Sequence, residues 1–144
     1  MLDTLTDPAP TGVVIVSAPE EMPVTATLEL TDRLRAETNV DLAAVIVNRV
    51  LPELFTDREE ELFERLRAPD RVAALSAAAG GDVAPILEAA ELAVTLRRTR
   101  AGHLTRLRAG LDPTLPLLFV PYLFSRSHGA RATRQVAEFL AEEL

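Results

Sequence analysis

The sequence predicts an α/β protein: a partial parallel sheet of about three strands with flanking helices and a helical insertion. Three observations predict it. Thr11–Ala18 is a continuous β-branched run, as expected of a central strand covered on both faces, and Leu42–Val50 and Leu115–Val120 are further apolar runs of strand length. Helical patterns alternate with these runs, and such alternation calls for a parallel sheet with right-handed crossovers. Between the second and third runs, Leu54 to Arg108 carries no strand signal at all. The 144 residues fit one domain, 1–144, with the insertion at about 54–110.

Each element has a local reason. After the first strand, Pro19-Glu20-Glu21-Met22-Pro23 is a turn, and Pro23 suits the first turn of a helix, where a missing N–H costs nothing. That helix runs to about Ala36, with Val24, Thr27, Leu28, Leu30 and Leu34 on the inward face, and Thr38-Asn39 ends it. The second strand closes on Asn48 and Arg49. Asp57–Arg67 reads as a helix, with Leu62, Phe63 and Leu66 apolar. Pro69 interrupts, and Asp70 is placed to cap a helix over Arg71–Ala79. Gly80-Gly81 breaks the chain before a long helix from about Asp82 to Arg108. Its inward face is expected to carry Ile86, Ala90, Ala93, Leu96, His103 and Leu107. The third strand ends in Pro121-Tyr122-Leu123-Phe124. A polar loop, Ser125–His128, precedes a last amphipathic helix, Gly129–Leu144. Three parallel strands leave two open edges, and so thin a sheet calls for more sheet from elsewhere.

Composition narrows the function. A net charge of −7 argues against a nucleic-acid partner. Arg97, Arg98, Arg100, Arg106 and Arg108 share one predicted helix and read as a solvated face paired with nearby acids. With no cysteine there is neither a disulfide framework nor a thiolate metal site. No apolar run is long enough to span a bilayer, and the start, Met1-Leu-Asp-Thr-Leu-Thr-Asp, is acidic rather than basic. A cytoplasmic protein is expected. The sharpest exclusion is that all 15 basic residues are arginine. A phosphate-cradling Gly-rich loop ends in a lysine whose ammonium sits on the β/γ-phosphates, and no residue here supplies one.

In open parallel sheets, ligands bind at the C-terminal ends of strands. Two such ends stand out: Val45-Ile46-Val47-Asn48-Arg49, and Phe119-Val120-Pro121-Tyr122-Leu123 with Gly129 eight residues after Pro121. An amide side chain both donates to and accepts from the edge of adenine, and a proline-led apolar loop offers the base a flat surface. Together they make a purine slot. Asn48 as a strand cap and Pro121 as a strand terminator are the plainer readings of the same residues.

With Thr11-Gly-Val-Val-Ile-Val, Pro19-Glu20-Glu21-Met22-Pro23-Val24 and Arg131, these two strand ends resemble the ArsA-like anion-transporting ATPases, a deviant Walker A class of P-loop ATPases. The likeness covers nearly the whole chain but only the C-terminal part of that family's P-loop NTPase domain. It implies that Asn48 contacts adenine, that Pro121, Tyr122 and Leu123 form the loop around the base, and that Arg49 flanks it. It implies ATP or ADP as ligand through an adenine half-site only, with magnesium not held by this chain alone. The thin sheet points to a protein partner completing the fold, or a homodimer by edge pairing, and the resemblance implies a hydrophobic client on the helical insertion, which matches part of the family's helical subdomain. The family's Walker A loop and switch segments have no counterpart; Asp7-Pro8-Ala9-Pro10-Thr11 precedes the wrong strand. Where the family often has a Glu-Thr pair after the Pro-Glu turn, this chain has Ala26-Thr27. A zinc-bridged dimer is excluded by the absence of cysteine. Hydrolysis by this chain alone is not expected, and three explanations stay open: a truncated gene model, a split ATPase, or a degenerate pseudo-ATPase. The alternative is a non-catalytic interaction module with a vestigial nucleotide slot.

Other candidates read as structure. His103 sits beside leucines on a helix, and His128 precedes one; neither has the carboxylate spacing of a metal site. Ser125, Ser127 and His128 lack a third orienting acid. Glu59-Glu60-Glu61 is a charged helix face, and Gly80-Gly81 follows no strand, so it is a helix break rather than a phosphate cradle.

Overall fold

A computed structural model describes residues 11–124 and 129–143, with the Asp57 side chain left aside. The Asp7–Pro10 phrase and the Ser125–His128 loop lie outside the described residues. The elements are β1 (Gly12–Ser17), α1 (Glu21–Glu37), β2 (Asp41–Val50), α2 (Asp57–Leu66), α3 (Pro69–Ala79), α4 (Ala84–Gly110), β3 (Leu117–Pro121) and α5 (Ala130–Glu143). The protein is α/β, and the three strands form one parallel sheet in the order β1-β2-β3. Among the described residues no helix is long and apolar enough to cross a membrane.

The chain divides into two compact units, one formed by Met1–Leu51 with Arg100–Leu144 and the other by Pro52–Thr99. In the first unit the core lies on one face of the sheet. Ile15 of β1 and Val45 and Val47 of β2 meet Val24 of α1 and Leu107 of α4, with Leu111 and Leu115 closing the end. Thr27 anchors α1 to the end of β1, its hydroxyl 2.8 Å from Ser17 Oγ. Leu30, expected inward, is exposed, while Thr31 takes a buried place. The Thr31 hydroxyl donates to the Thr27 carbonyl at 2.8 Å, which removes the usual penalty for burying it. Gly12 is required at the start of β1, because a Cβ there would stand 2.9 Å from Ala43 Cβ where the register shifts.

The other face of the sheet is covered unevenly. Leu118 and Val120 of β3 are buried, and α5 packs against that strand. Val14 and Val16 of β1 remain 48% and 63% exposed.

The second unit is helical. Thr56 opens α2 with a reciprocal capping box: its hydroxyl accepts from the Glu59 N–H, and the Glu59 carboxylate accepts from the Thr56 N–H at 2.8 Å. These bonds to the charged form hold the Glu59 carboxyl below its ordinary value. Phe63 and Val94 are buried, and the Phe63 ring stacks on Phe55 with centroids 6.4 Å apart. Arg67 reaches Glu91 at 2.7 Å and Arg97 reaches Glu53 at 3.3 Å. Arginine–carboxylate pairing therefore accounts for part of the basic stripe. Leu54, Leu62, Ile86, Leu92 and Leu96 are exposed.

The single inward stripe expected of α4 is not what forms. Ile86 and Leu96 face out, and the buried positions are Val94 in the second unit and Leu107 in the first. Thirteen positions separate those two, about 140° around a helix of 3.6 residues per turn. One stripe of constant period cannot serve both.

Candidate functional site

β2 does not end as a straight strand. Val45, Ile46 and Val47 pair with Leu117, Leu118 and Phe119, and the next pair is Val50 with Pro121. β2 thus takes three steps where β3 takes two, a bulge centred on Asn48 and Arg49. Arg49 absorbs the extra residue in the left-handed region, at φ 63°. A side chain there costs about 1–2 kcal/mol relative to right-handed backbone. The Arg49 N–H is satisfied locally, by Asn48 Oδ1 at 2.8 Å. The ladder resumes immediately, with the Tyr122 N–H donating to the Val50 carbonyl at 2.8 Å.

This bulge aims the side chains. The Arg49 guanidinium lies over the Tyr122 ring, Cζ 5.7 Å from the centroid, within the range of a cation–π contact. Tyr122 in turn meets Phe124, with centroids 4.9 Å apart and planes tilted by 54°. The Asn48 Oδ1 is engaged with the backbone, so its NH2 group is the end left to donate to a ligand.

Asn48, Arg49, Pro121, Tyr122 and Leu123 all line one cavity of about 690 Å³, a size suited to a small-molecule ligand. The structure brings together every residue the sequence singled out for a base-binding slot. The remaining walls are Val120, Gly129 and the Ala132, Thr133 and Val136 face of α5. That helix face was missed as a wall in the sequence; its signal is the run of small side chains in the first turns of an amphipathic helix. Arg131 lies elsewhere, in a separate cavity with Arg134 and Glu138. Arg49 is the single charged side chain among the described lining residues, and no carboxylate faces it there. His103 is half-buried on α4 and takes no part. A second, more apolar cavity of about 850 Å³ flanks β3 near Leu104, Leu117 and Phe119. Its cation, Arg108, donates to the Leu115 and Pro113 carbonyls.

The cavity, lined by an amide and a proline-led aromatic loop, lies at the C-terminal strand ends of a parallel α/β sheet, the position where open sheets of this kind bind ligands. The profile of the anion-transporting ATPase family matches residues 1–73. The chain belongs to that family, and membership carries nucleotide binding in general. Asn48 and Arg49 lie within the matched residues; Pro121, Tyr122 and Leu123 lie beyond them and are tied to the site by geometry. Among curated proteins none matches the chain.

Proposed function

We propose that the cavity at the ends of β2 and β3 is the adenine half of a nucleotide site, taking ATP or ADP by the base. The observation that carries this reading is the convergence of Asn48, Arg49, Pro121, Tyr122 and Leu123 on one cavity at the bulged sheet end. Asn48 reads the base edge with its free NH2, and the Pro121–Leu123 loop supplies the flat apolar surface. The chain does not hydrolyse ATP alone, because no lysine is present to sit on the β/γ-phosphates. Magnesium is not held by this chain alone, and a protein partner or a second copy supplies what the phosphates need. Calorimetric titration of ATP and of ADP into the purified chain tests the reading. Saturable binding with no turnover is expected; heatless titrations with both nucleotides would overturn it.

A second reading, an interaction module, is favoured by the asymmetry of the sheet edges. β3 is flanked by Pro116 and ends on Pro121, which blunts its edge, whereas Gly12–Ser17 contains neither proline nor charge. Beside that unguarded edge stand exposed Val14 and Val16. In this reading β1 pairs with a strand of a partner or of a second copy, and the exposed leucines of the second unit hold an apolar client. Val16→Lys is then expected to abolish concentration-dependent association in sedimentation velocity while changing stability by no more than about 0.5 kcal/mol. A wild-type chain that sediments as a monomer at every concentration would remove the second-copy form of this reading.

A further inference from the structure

We propose that the cavity beside the N-terminal half of β3 is a second ligand site, which takes an aliphatic monocarboxylate with its carboxylate on Arg108. It lies towards the opposite end of β3 from the nucleotide cavity and does not depend on that reading.

The cavity measures about 850 Å³, within the range of small-molecule sites. Every wall belongs to the first compact unit. Leu104, Leu117 and Phe119 are half-buried. Each packs against the core cluster and also lines the cavity, so core packing fixes these walls before any ligand arrives. Arg108 is the one charged side chain among the described lining residues. Its guanidinium donates to the Leu115 and Pro113 carbonyls at 3.3 and 3.2 Å. Those bonds pin it beside the start of β3, yet they use only two of its five N–H groups and none of its charge. On the same helix Arg97, Arg98 and Arg100 each meet a glutamate, whereas Arg108 makes no ion pair among the described residues. Asp112, the acid nearest to it in sequence, is turned to the Thr114 hydroxyl at 2.6 Å and to Arg35 at 3.6 Å.

Other donors are scarce in these walls. Pro113 and Pro116 carry no N–H. The Thr114 and Leu115 N–H groups already donate to Asp112, as does the Thr114 hydroxyl, and the Thr105 hydroxyl donates to the Ala101 carbonyl. An apolar hollow with one pinned, unneutralised cation matches an apolar body with one anionic head. A carboxylate takes charge-assisted hydrogen bonds from a guanidinium. A neutral chain would leave the cation without a counter-charge, and a phosphate dianion would find only one cation.

Octanoate and 1-octanol titrated calorimetrically into the wild-type chain, Arg108→Gln and Ala109→Trp test this, with thermal melting in parallel. The wild-type chain is expected to bind octanoate saturably and 1-octanol about tenfold more weakly, the order of one charge-assisted hydrogen bond. Arg108→Gln should bring the two ligands to equal affinity. Ala109 lines the cavity from an exposed position on α4, so its replacement by tryptophan should fill the space and abolish binding of both ligands without lowering the melting temperature. Absence of saturable octanoate binding by the wild-type chain would overturn the inference, as would 1-octanol binding as tightly as octanoate. A folded Arg108→Gln chain that keeps the preference would overturn it too. Undiminished octanoate binding in Ala109→Trp would place the ligand elsewhere, on surfaces such as the exposed leucines of the second unit, with the same consequence. Should Arg108→Gln melt early through loss of its two carbonyl bonds, the wild-type preference and Ala109→Trp still decide.

Discussion

Asn48→Ala is expected to weaken ATP and ADP binding between about tenfold and a hundredfold, the equivalent of one or two hydrogen bonds to a base. The substitution removes two things together. It deletes the NH2 donor offered to the cavity, and it deletes the Oδ1 acceptor that holds the Arg49 N–H at 2.8 Å. Asn48→Asp separates them. Aspartate retains an acceptor for the Arg49 amide, so the bulge keeps its local bond, but it presents an oxygen where a ring nitrogen needs a donor. If the donor carries recognition, Asn48→Asp binds as weakly as Asn48→Ala or more so. If the bulge alone carries it, Asn48→Asp recovers most of the affinity. Asn48 is exposed, so melting should fall only slightly in either variant. Calorimetry showing Asn48→Ala at wild-type affinity would remove Asn48 from the site.

What was legible in the sequence follows from what strands and strand ends require. Val13 to Val16 and Ala43 to Val47 announce themselves because β-branched runs fit a covered parallel sheet. Asn48 and Tyr122 were visible as polar or aromatic residues at C-terminal strand edges, where parallel sheets open to ligands. The bulge was not visible. It arises from pairing with β3 some seventy residues downstream, as the register shift beyond Val47 shows, and no local pattern encodes such a partner. The left-handed Arg49 and its contact with Tyr122 follow from that register and were hidden with it. α4 was misread for a related reason. A periodic stripe presumes one burying surface, whereas Val94 and Leu107 belong to different compact units.

The same helix supplies the stability prediction with the largest effect. Leu107→Ala is expected to destabilise the first unit by about 3 kcal/mol, within the range of about 2–5 for buried leucine truncations. Leu107 is 0% exposed and belongs to the cluster of Ile15, Val24, Val45, Val47, Leu111 and Leu115. A three-stranded sheet whose other face leaves Val14 and Val16 open has few contacts with which to refill the cavity, so the cost should not fall at the lower limit. For a unit of this size the melting temperature should drop by roughly 10–20 °C. Ile86→Ala on the same helix is the control. At 68% exposed it should move stability by no more than about 0.5 kcal/mol, although the two positions read alike in the helical periodicity. Equal melting shifts in the two variants would contradict the burial assignment. The comparison also reaches the site. Val45 and Val47 hold the register that forces the bulge, and Leu107 packs in the same cluster. Partial loosening below the melting point should therefore weaken nucleotide binding in Leu107→Ala and leave Ile86→Ala unaffected.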